Sequence, residues 1–458
     1  MTGVAQGASS AEQSGVERST IKKVATRLVP FVALMFFINY LDRTAIGFAA
    51  PNGMNEDLAL SAAQFGFASG VFFIGYILLE IPSNIALHKF GARRWLARIM
   101  VTWGIVVVLF TFIQNATQLY WARFALGVAE AGFFPGAILF LSLWVPTRHR
   151  SKILSLFYLA QPLTTVIGAP LASLLLSVEG FGLAGWRFMF LGLGLPAIIV
   201  GIIAWFYLPN TPADAKWLNP AEQKWLTAEL DTEVTQSAER GGHGKIGSAF
   251  KSGRVWVLAM IYFGFIYGLY ALAFFLPTII TGFQEQFGTK FTVWEKGLIT
   301  AIPYLPAAFA LYFWSRDATR RGVKTWHIAL PALIGGISIP VALFMNSPAA
   351  TVAVITVTAC AIFAALPNFW TIPSRFLHGA AAAAGIALIN TMGNVAGFAA
   401  GYVTGYLKDF TGAYYVPMFV VGGLMLLSAV LMVAISAKTH VADFGPVTHD
   451  PEMAPLEQ

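Results

Sequence analysis

The sequence predicts an all-α membrane protein: twelve transmembrane helices in two pseudo-symmetric six-helix bundles. Three observations carry that prediction. The chain of 458 residues is 57% hydrophobic and only 11% charged, whereas soluble domains carry roughly 25% charged residues. So much apolar surface has to face lipid. Apolar runs of bilayer-spanning length recur twelve times, and the basic residues fall on alternate loops.

A spanning helix needs about 20 mostly apolar residues. Such runs occupy approximately 28–50, 62–86, 95–114, 119–143, 152–177 and 186–208 in the first half, and 256–281, 296–314, 326–345, 350–372, 381–406 and 414–436 in the second. Interruptions such as Ile167-Gly168-Ala169-Pro170 are tolerated, because neighbouring helices re-satisfy the backbone. Residues 1–27 are polar and rich in Ser, Gly and Gln. They lack the apolar core of a secretory signal and are expected to form a disordered cytosolic tail. Residues 28–208 form the first bundle, 209–254 a cytosolic linker, 255–436 the second bundle and 437–458 a C-terminal tail. Within the linker, AEQKWLTAELDTEV has helical spacing and mixed charge, so a short amphipathic helix is expected there.

With the N-terminus placed in the cytoplasm, the inner segments hold 23 Lys and Arg residues, and the outer loops hold three, Lys290, Lys296 and Lys408. This bias puts both termini inside and the protein, multi-pass, in the cell's inner membrane. It also explains the net charge of +7 as a topology signal, so no nucleic-acid partner is expected. Cys360 is the sole cysteine and the seven His are scattered, which leaves no basis for disulfides, metal or cofactor. No His-Asp or Cys-His arrangement stands near a membrane edge, so enzymatic activity is not expected. The chain is expected to act as a monomer.

The halves repeat. Gly91-Ala-Arg93-Arg-Trp95 and Gly322-Val-Lys324-Thr-Trp326 share the pattern G-x-[RK]-x-W at an offset of 231 residues. Pro146-Thr147-Arg148 and Pro373-Ser374-Arg375 match at an offset of 227. Parallel six-helix repeats with a midplane site between them are a transporter architecture.

The segments LDR (41–43), EIPSNIALHKFGARRWLARIM (80–100), RFALGVAEAGFFPGAILFLSLWVP (123–146) and GIALINTMGNVAGF (385–398) resemble the major facilitator superfamily. Within it they are similar to the anion:cation symporter family, in wording nearest to tartrate-like and 4-hydroxyphenylacetate-like permeases. The resemblance spans roughly 28–436. It departs at His88-Lys89, where the family carries an acid in the loop after helix two, whereas Arg316-Asp317 keeps the equivalent charge in the second half.

Residues 38–48, INYLDRTAIGF, place Asp42 and Arg43 inside an apolar run. Each charge near a helix centre costs at least about 2.5–3.5 kcal/mol, so such groups face a bundle interior or a wet cavity. Arg123 and Glu130 do the same on helix four, seven residues and about 10 Å of rise apart on one face. Two cations and two carboxylates therefore serve one cavity: a cation suits an anionic substrate, and a desolvated carboxylate suits a proton. The family resemblance implies the same division, with Asp42 and Glu130 coupling protons and Arg43 and Arg123 near the substrate. It places Tyr40, Tyr76, Gln161, Trp370 and Asn390 at substrate-lining positions.

A structural alternative stands beside this: Asp42–Arg43 and Arg123–Glu130 as neutralising pairs that keep helices one and four in register. Glu80, near the cytosolic end of helix two, fits a loop clasp or a gate. Arg187 fits a snorkelling role, the helix-seven tyrosines an interior stripe, and Gly397, Gly401 and Gly405 close helix packing. The expected function is proton-coupled uptake of a small organic anion by alternating access. The substrate is a hydroxycarboxylate (tartrate-like, or a sugar acid) or an aromatic carboxylate. The rivals are an efflux antiporter of the same fold and an anion-sensing receptor.

Overall fold

The computed structural model describes residues 2–178, 182–239, 250–373 and 379–438. Residues 240–249 of the linker, Ser374 and Arg375 of the second repeat match, and the C-terminal tail from 439 lie outside these residues. The described chain is helical: α1 Thr2–Ala49, α2 Ala62–Phe90, α3 Ala92–Leu109, α4 Ala116–Glu130, α5 Phe133–Ser142, α6 Thr147–Tyr158, α7 Ala160–Leu176, α8 Gly185–Tyr207, α9 Pro220–Glu239, α10 Gly253–Phe287, α11 Val293–Ala301, α12 Tyr304–Arg321, α13 Trp326–Val341, α14 Pro348–Phe369, α15 Gly379–Thr411 and α16 Tyr415–Lys438. Eleven helical stretches among the described residues are long and apolar enough to cross a membrane, and a twelfth apolar helix, Ala160–Leu176, is shorter. The protein is a multi-pass membrane protein.

Helix starts follow side-chain capping. Ser61 accepts from Gln64 N at 3.2 Å while Gln64 accepts from Ser61 N at 2.9 Å, a reciprocal box at the start of α2. Asn115 accepts from Gln118 N at 3.0 Å before α4. Gly91 ends α2 at φ +85°, a conformation that costs a side chain but not glycine.

Three spans expected to be continuous are broken. Run 119–143 divides into α4 and α5 at Ala131-Gly132, where Gly132 has φ +84°. Run 152–177 divides into α6 and α7 at Leu159, and run 296–314 into α11 and α12 at Ile302-Pro303. Proline explains all three. Its ring clashes with the carbonyl four residues earlier, and Pro135, Pro162 and Pro306 direct that clash at Ala131, Tyr158 and Ile302. Pro373 acts likewise on Phe369, where α14 stops.

The N-terminal segment corrects an expectation. Helix α1 begins at Thr2, and residues 16–27 are not a disordered tail. Ser19 Oγ and Lys23 Nζ each reach the Glu222 carboxylate at 2.7 Å, and Thr20 and Val24 are fully buried. Tertiary packing on α9 supplies the order that the polar composition did not announce. The expected linker helix is α9, capped by Asn219, which exchanges 2.8 Å hydrogen bonds with Glu222. Burial opposes charge on Glu222, but the bonds from Lys23, Asn219 and Ser19 outweigh it and hold its pKa below the ordinary range.

The chain divides into two compact units: Met1–His243 with Ala271–Ala301 and Gly397–Gly412, and Gly244–Tyr270 with Ile302–Ala396 and Ala413–Gln458. In the first, α3 lies on α8 where Gly104 and Gly194 leave room for backbone contact, and Gly75 and Gly127 do the same between α2 and α4. This unit also takes in the end of α15. Gly66 of α2 faces the Gly401 carbonyl and Gly405 the Ala62 carbonyl, and a Cβ at any of the three would collide with backbone. Asp409 then accepts from Ala62 N at 3.1 Å and Ala63 N at 2.7 Å. A carboxylate is favourable there, because helix-initial N–H groups lack partners and carry partial positive charge. In the second unit, Gly336 of α13 and Gly422 of α16 bring those helices together.

Candidate functional site

The first unit buries four ionisable groups near one another on α1 and α4: Asp42, Arg43, Arg123 and Glu130 are all at most 8% exposed. Their pairing is not the one neighbouring positions suggest. Arg43 reaches across to Glu130, with Nη2 at 3.0 Å and Nε at 3.3 Å from Oε2. Asn39, one turn earlier on the same face, donates Nδ2 to that same oxygen at 2.8 Å. The other carboxylate oxygen, Oε1, is buried with no hydrogen-bond partner among the described residues.

Glu130 is the last residue of α4, so the pair stands at the helix break. Non-helical backbone at membrane depth occurs where protein or a wet cavity covers it, and broken helices carry sites in transporters. Gln161 lies in the first turn after the second break, half-buried.

Asp42 points elsewhere, as adjacent positions on a helix must. Its Oδ2 accepts from Trp103 Nε1 of α3 at 3.0 Å, and its Oδ1 is buried without a hydrogen-bond partner among the described residues. Arg123 donates to three backbone carbonyls, those of Ala68 (3.1 Å), Ser69 (3.2 Å) and Arg43 (3.3 Å). Phe72 joins the two cations: its ring centroid is 4.8 Å from the Arg43 guanidinium and 5.2 Å from that of Arg123. Tyr76 lies 5.1 Å from Arg43. Tyr40 is buried beside Phe36, with ring centroids 6.2 Å apart.

In the second unit, Trp370 follows the last residue of α14 and meets Tyr262 edge-on at 4.8 Å. Tyr262 also stacks on Phe369 at 5.3 Å. Gly393 admits the Tyr262 ring against α15, one turn beyond the half-buried Asn390. Asp317, the acid kept in the second half, binds Arg321 at 2.9 Å and the buried His327 at 3.2 Å. Arg187 does not merely snorkel: it donates to the Thr111 and Ile113 carbonyls at 2.9 and 2.6 Å.

Asn39, Phe72 and Trp103 escaped the sequence reading. Asn39 could have been found, since it stands one helical turn before Arg43.

A family model described as Major Facilitator Superfamily matches residues 32–401. The chain belongs to the major facilitator superfamily. As a member it is a membrane transporter and not an enzyme. It is 41% identical to a protein of Agrobacterium vitis named "Putative tartrate transporter", over 95% of this chain and 99% of that one. It is 37% identical to the "Quinolone resistance transporter" of Acinetobacter baumannii, over 92% and 96% of the two chains. The fold is similar to the partially occluded, inward-open structure of the xylose transporter XylE from E. coli. The TM-score is 0.69 at 14% identity, covering 90% of this chain and 98% of that one. These major facilitator relatives extend along nearly the whole chain, and their likeness covers both halves.

Proposed function

We propose that this transporter carries a small organic anion inward with protons, across the inner membrane, as a monomer with both termini in the cytoplasm. The substrate class is a hydroxycarboxylate such as tartrate or a sugar acid, or an aromatic carboxylate. One observation carries the reading: the Arg43–Glu130 pair uses a single carboxylate oxygen and leaves the other, Oε1, buried and unpartnered. A proton on Oε1 neutralises Glu130 and loosens its hold on Arg43. Arg43 then accepts the carboxylate of the substrate in place of Glu130. Proton and anion thereby bind to the two halves of one ion pair, and each favours the other, as linkage requires.

Asp42 is the second proton site. Arg123, held on backbone carbonyls, supplies a fixed positive charge beside Arg43. Tyr40, Tyr76 and Gln161 shape the anion's surroundings, and Trp370 and Asn390 recognise its hydroxyls or ring. The name of the Agrobacterium relative supports the substrate class, and the loop-charge bias supports the orientation.

The test has two stages. A thermal-shift screen of tartrate, sugar acids and 4-hydroxyphenylacetate on purified protein identifies a ligand, because binding to the folded state raises its melting temperature. In vesicles, that acid should accumulate against its gradient when the outside is acidic, and a protonophore should abolish this. Glu130→Gln should retain substrate-for-substrate exchange and lose accumulation. A folded Glu130→Gln variant that still accumulates the acid removes Glu130 from the coupling.

The name of the Acinetobacter relative favours a second reading, efflux. It predicts that no organic acid stabilises the protein and that a quinolone leaves loaded vesicles in exchange for protons.

A further inference from the structure

Asp42 sits among charged neighbours: Arg43 adjoins it on α1, and α4 brings Glu130 and Arg123 to the same buried region. Its hydrogen bond, however, comes from a neutral group on a third helix. Trp103 Nε1 donates to Oδ2 at 3.0 Å, and among the described residues no cation forms an ion pair with Asp42. The indole is fully buried. Its edge meets the Phe133 ring at 5.0 Å and 84°, and Phe133 is the first residue of α5, just past the break that follows Glu130. Its chain neighbour, Gly104, packs against the backbone of α8 at Ile198, so the indole is mounted on a tightly fitted pair of helices.

We infer that Trp103 is a positioning residue for proton coupling, its N–H orienting Asp42 and its ring linking Asp42 to the segment that carries Glu130. The inference rests on the reading of Asp42 as a proton site. A buried carboxylate is tolerated only if something hydrogen-bonds it, and a carrier must visit that charged state every time it releases its proton. Trp103 supplies the bond from a donor that cannot itself take up a proton in this pH range. An arginine in its place would hold the carboxylate ionised throughout the cycle. A neutral donor supports the charge without making it permanent. The ring contact adds a mechanical link, because any movement of α5 relative to α4 shifts the surface on which the indole rests.

Trp103→Phe keeps a ring against Phe133 and removes the donor. It should leave substrate-for-substrate exchange within about two-fold of wild type, since exchange needs no proton release. It should lower proton-driven accumulation by about ten-fold or more, the scale of one hydrogen bond to a charged group. A merely structural role would lower both activities together. If Trp103→Phe folds poorly, β-(3-benzothienyl)alanine at position 103 replaces only the N–H by sulfur and should give the same split.

Asp42→Asn separates the proton-site reading from the role of Trp103. If Asp42→Asn still accumulates substrate, the proton-site reading fails. If Asp42→Asn loses accumulation while both Trp103 variants keep it, that reading stands and the role of Trp103 is refuted.

Discussion

Arg43 binds Glu130 through a single oxygen: Nη2 and Nε converge on Oε2, and both side chains are withdrawn from water. Charge is thus balanced but the carboxylate is only half-used. Such a pair is easier to undo than a two-oxygen fork, as the proposed replacement of Glu130 by the substrate carboxylate requires.

Removing one member of the pair should cost more than removing both charges. Arg43→Ala leaves Glu130 buried and unpaired, a loss of about 3–5 kcal/mol. The double variant Arg43→Ala with Glu130→Gln should recover part of it. Melting temperatures of the two singles and the double form a cycle that checks this; strict additivity would mean that the pair is not coupled in solution.

Phe72 serves two guanidinium groups, each desolvated cation–π contact being worth about 2 kcal/mol at most sites of this kind. Phe72→Leu should therefore destabilise more than Phe110→Leu, at an equally buried phenylalanine with no cation over its ring among the described residues. Equal losses in thermal melts would reduce Phe72 to a space-filling role.

Asp409 caps the start of α2 from the far end of α15. Asp409→Ala should lower stability by about 1 kcal/mol, the usual loss on removing a helix cap, and Asp409→Asn by much less, since asparagine caps nearly as well. Thermal melts of the two variants side by side decide it. If Asn and Ala are equally damaging, the role of Asp409 is charge and not capping.

The docking of α1 on α9 should respond to acid. Because the folded-state pKa of Glu222 is depressed by Lys23, Asn219 and Ser19, its contribution is present above the unfolded value of about 4.3. It is lost as pH falls through the lower folded value. Amide protection over residues 16–27, measured relative to the intrinsic exchange rate at each pH, should be high at neutral pH and fall below about pH 4. In Glu222→Gln it should already be lower at neutral pH and should change less on acidification. Unchanged protection in that variant would show that apolar packing alone docks the segment.

The membrane spans were legible because lipid imposes one length and one chemistry on every crossing; the run 62–86, for example, lies within α2. The breaks were written in Pro135, Pro162, Pro306 and Pro373, but proline inside an apolar run does not always break it: Pro82 and Pro277 lie within continuous helices. The four charges of the candidate site were visible as outliers against an apolar background. Their pairing was not, since Arg43 and Glu130 are 87 positions apart and only the folded chain decides which face meets which. Trp103 and Phe72 were hidden for the opposite reason: an aromatic ring in a membrane helix is unremarkable until a charge is found beside it. The order of residues 16–27 was missed because it depends on a partner 199 residues away.

The seam between α2 and the end of α15 is made of main chain. With Gly66, Gly401 and Gly405 all closed against backbone, the two helices leave no room at these positions for a file of water molecules. A carrier differs from a channel in never offering such a file from one face to the other, and along this seam the close contact of main chain depends on three absent methyl groups. A bulkier residue at Gly401 should therefore register first as electrical leak: bilayer recordings of Gly401→Val should show substrate-independent current even where the protein still folds and binds its ligand.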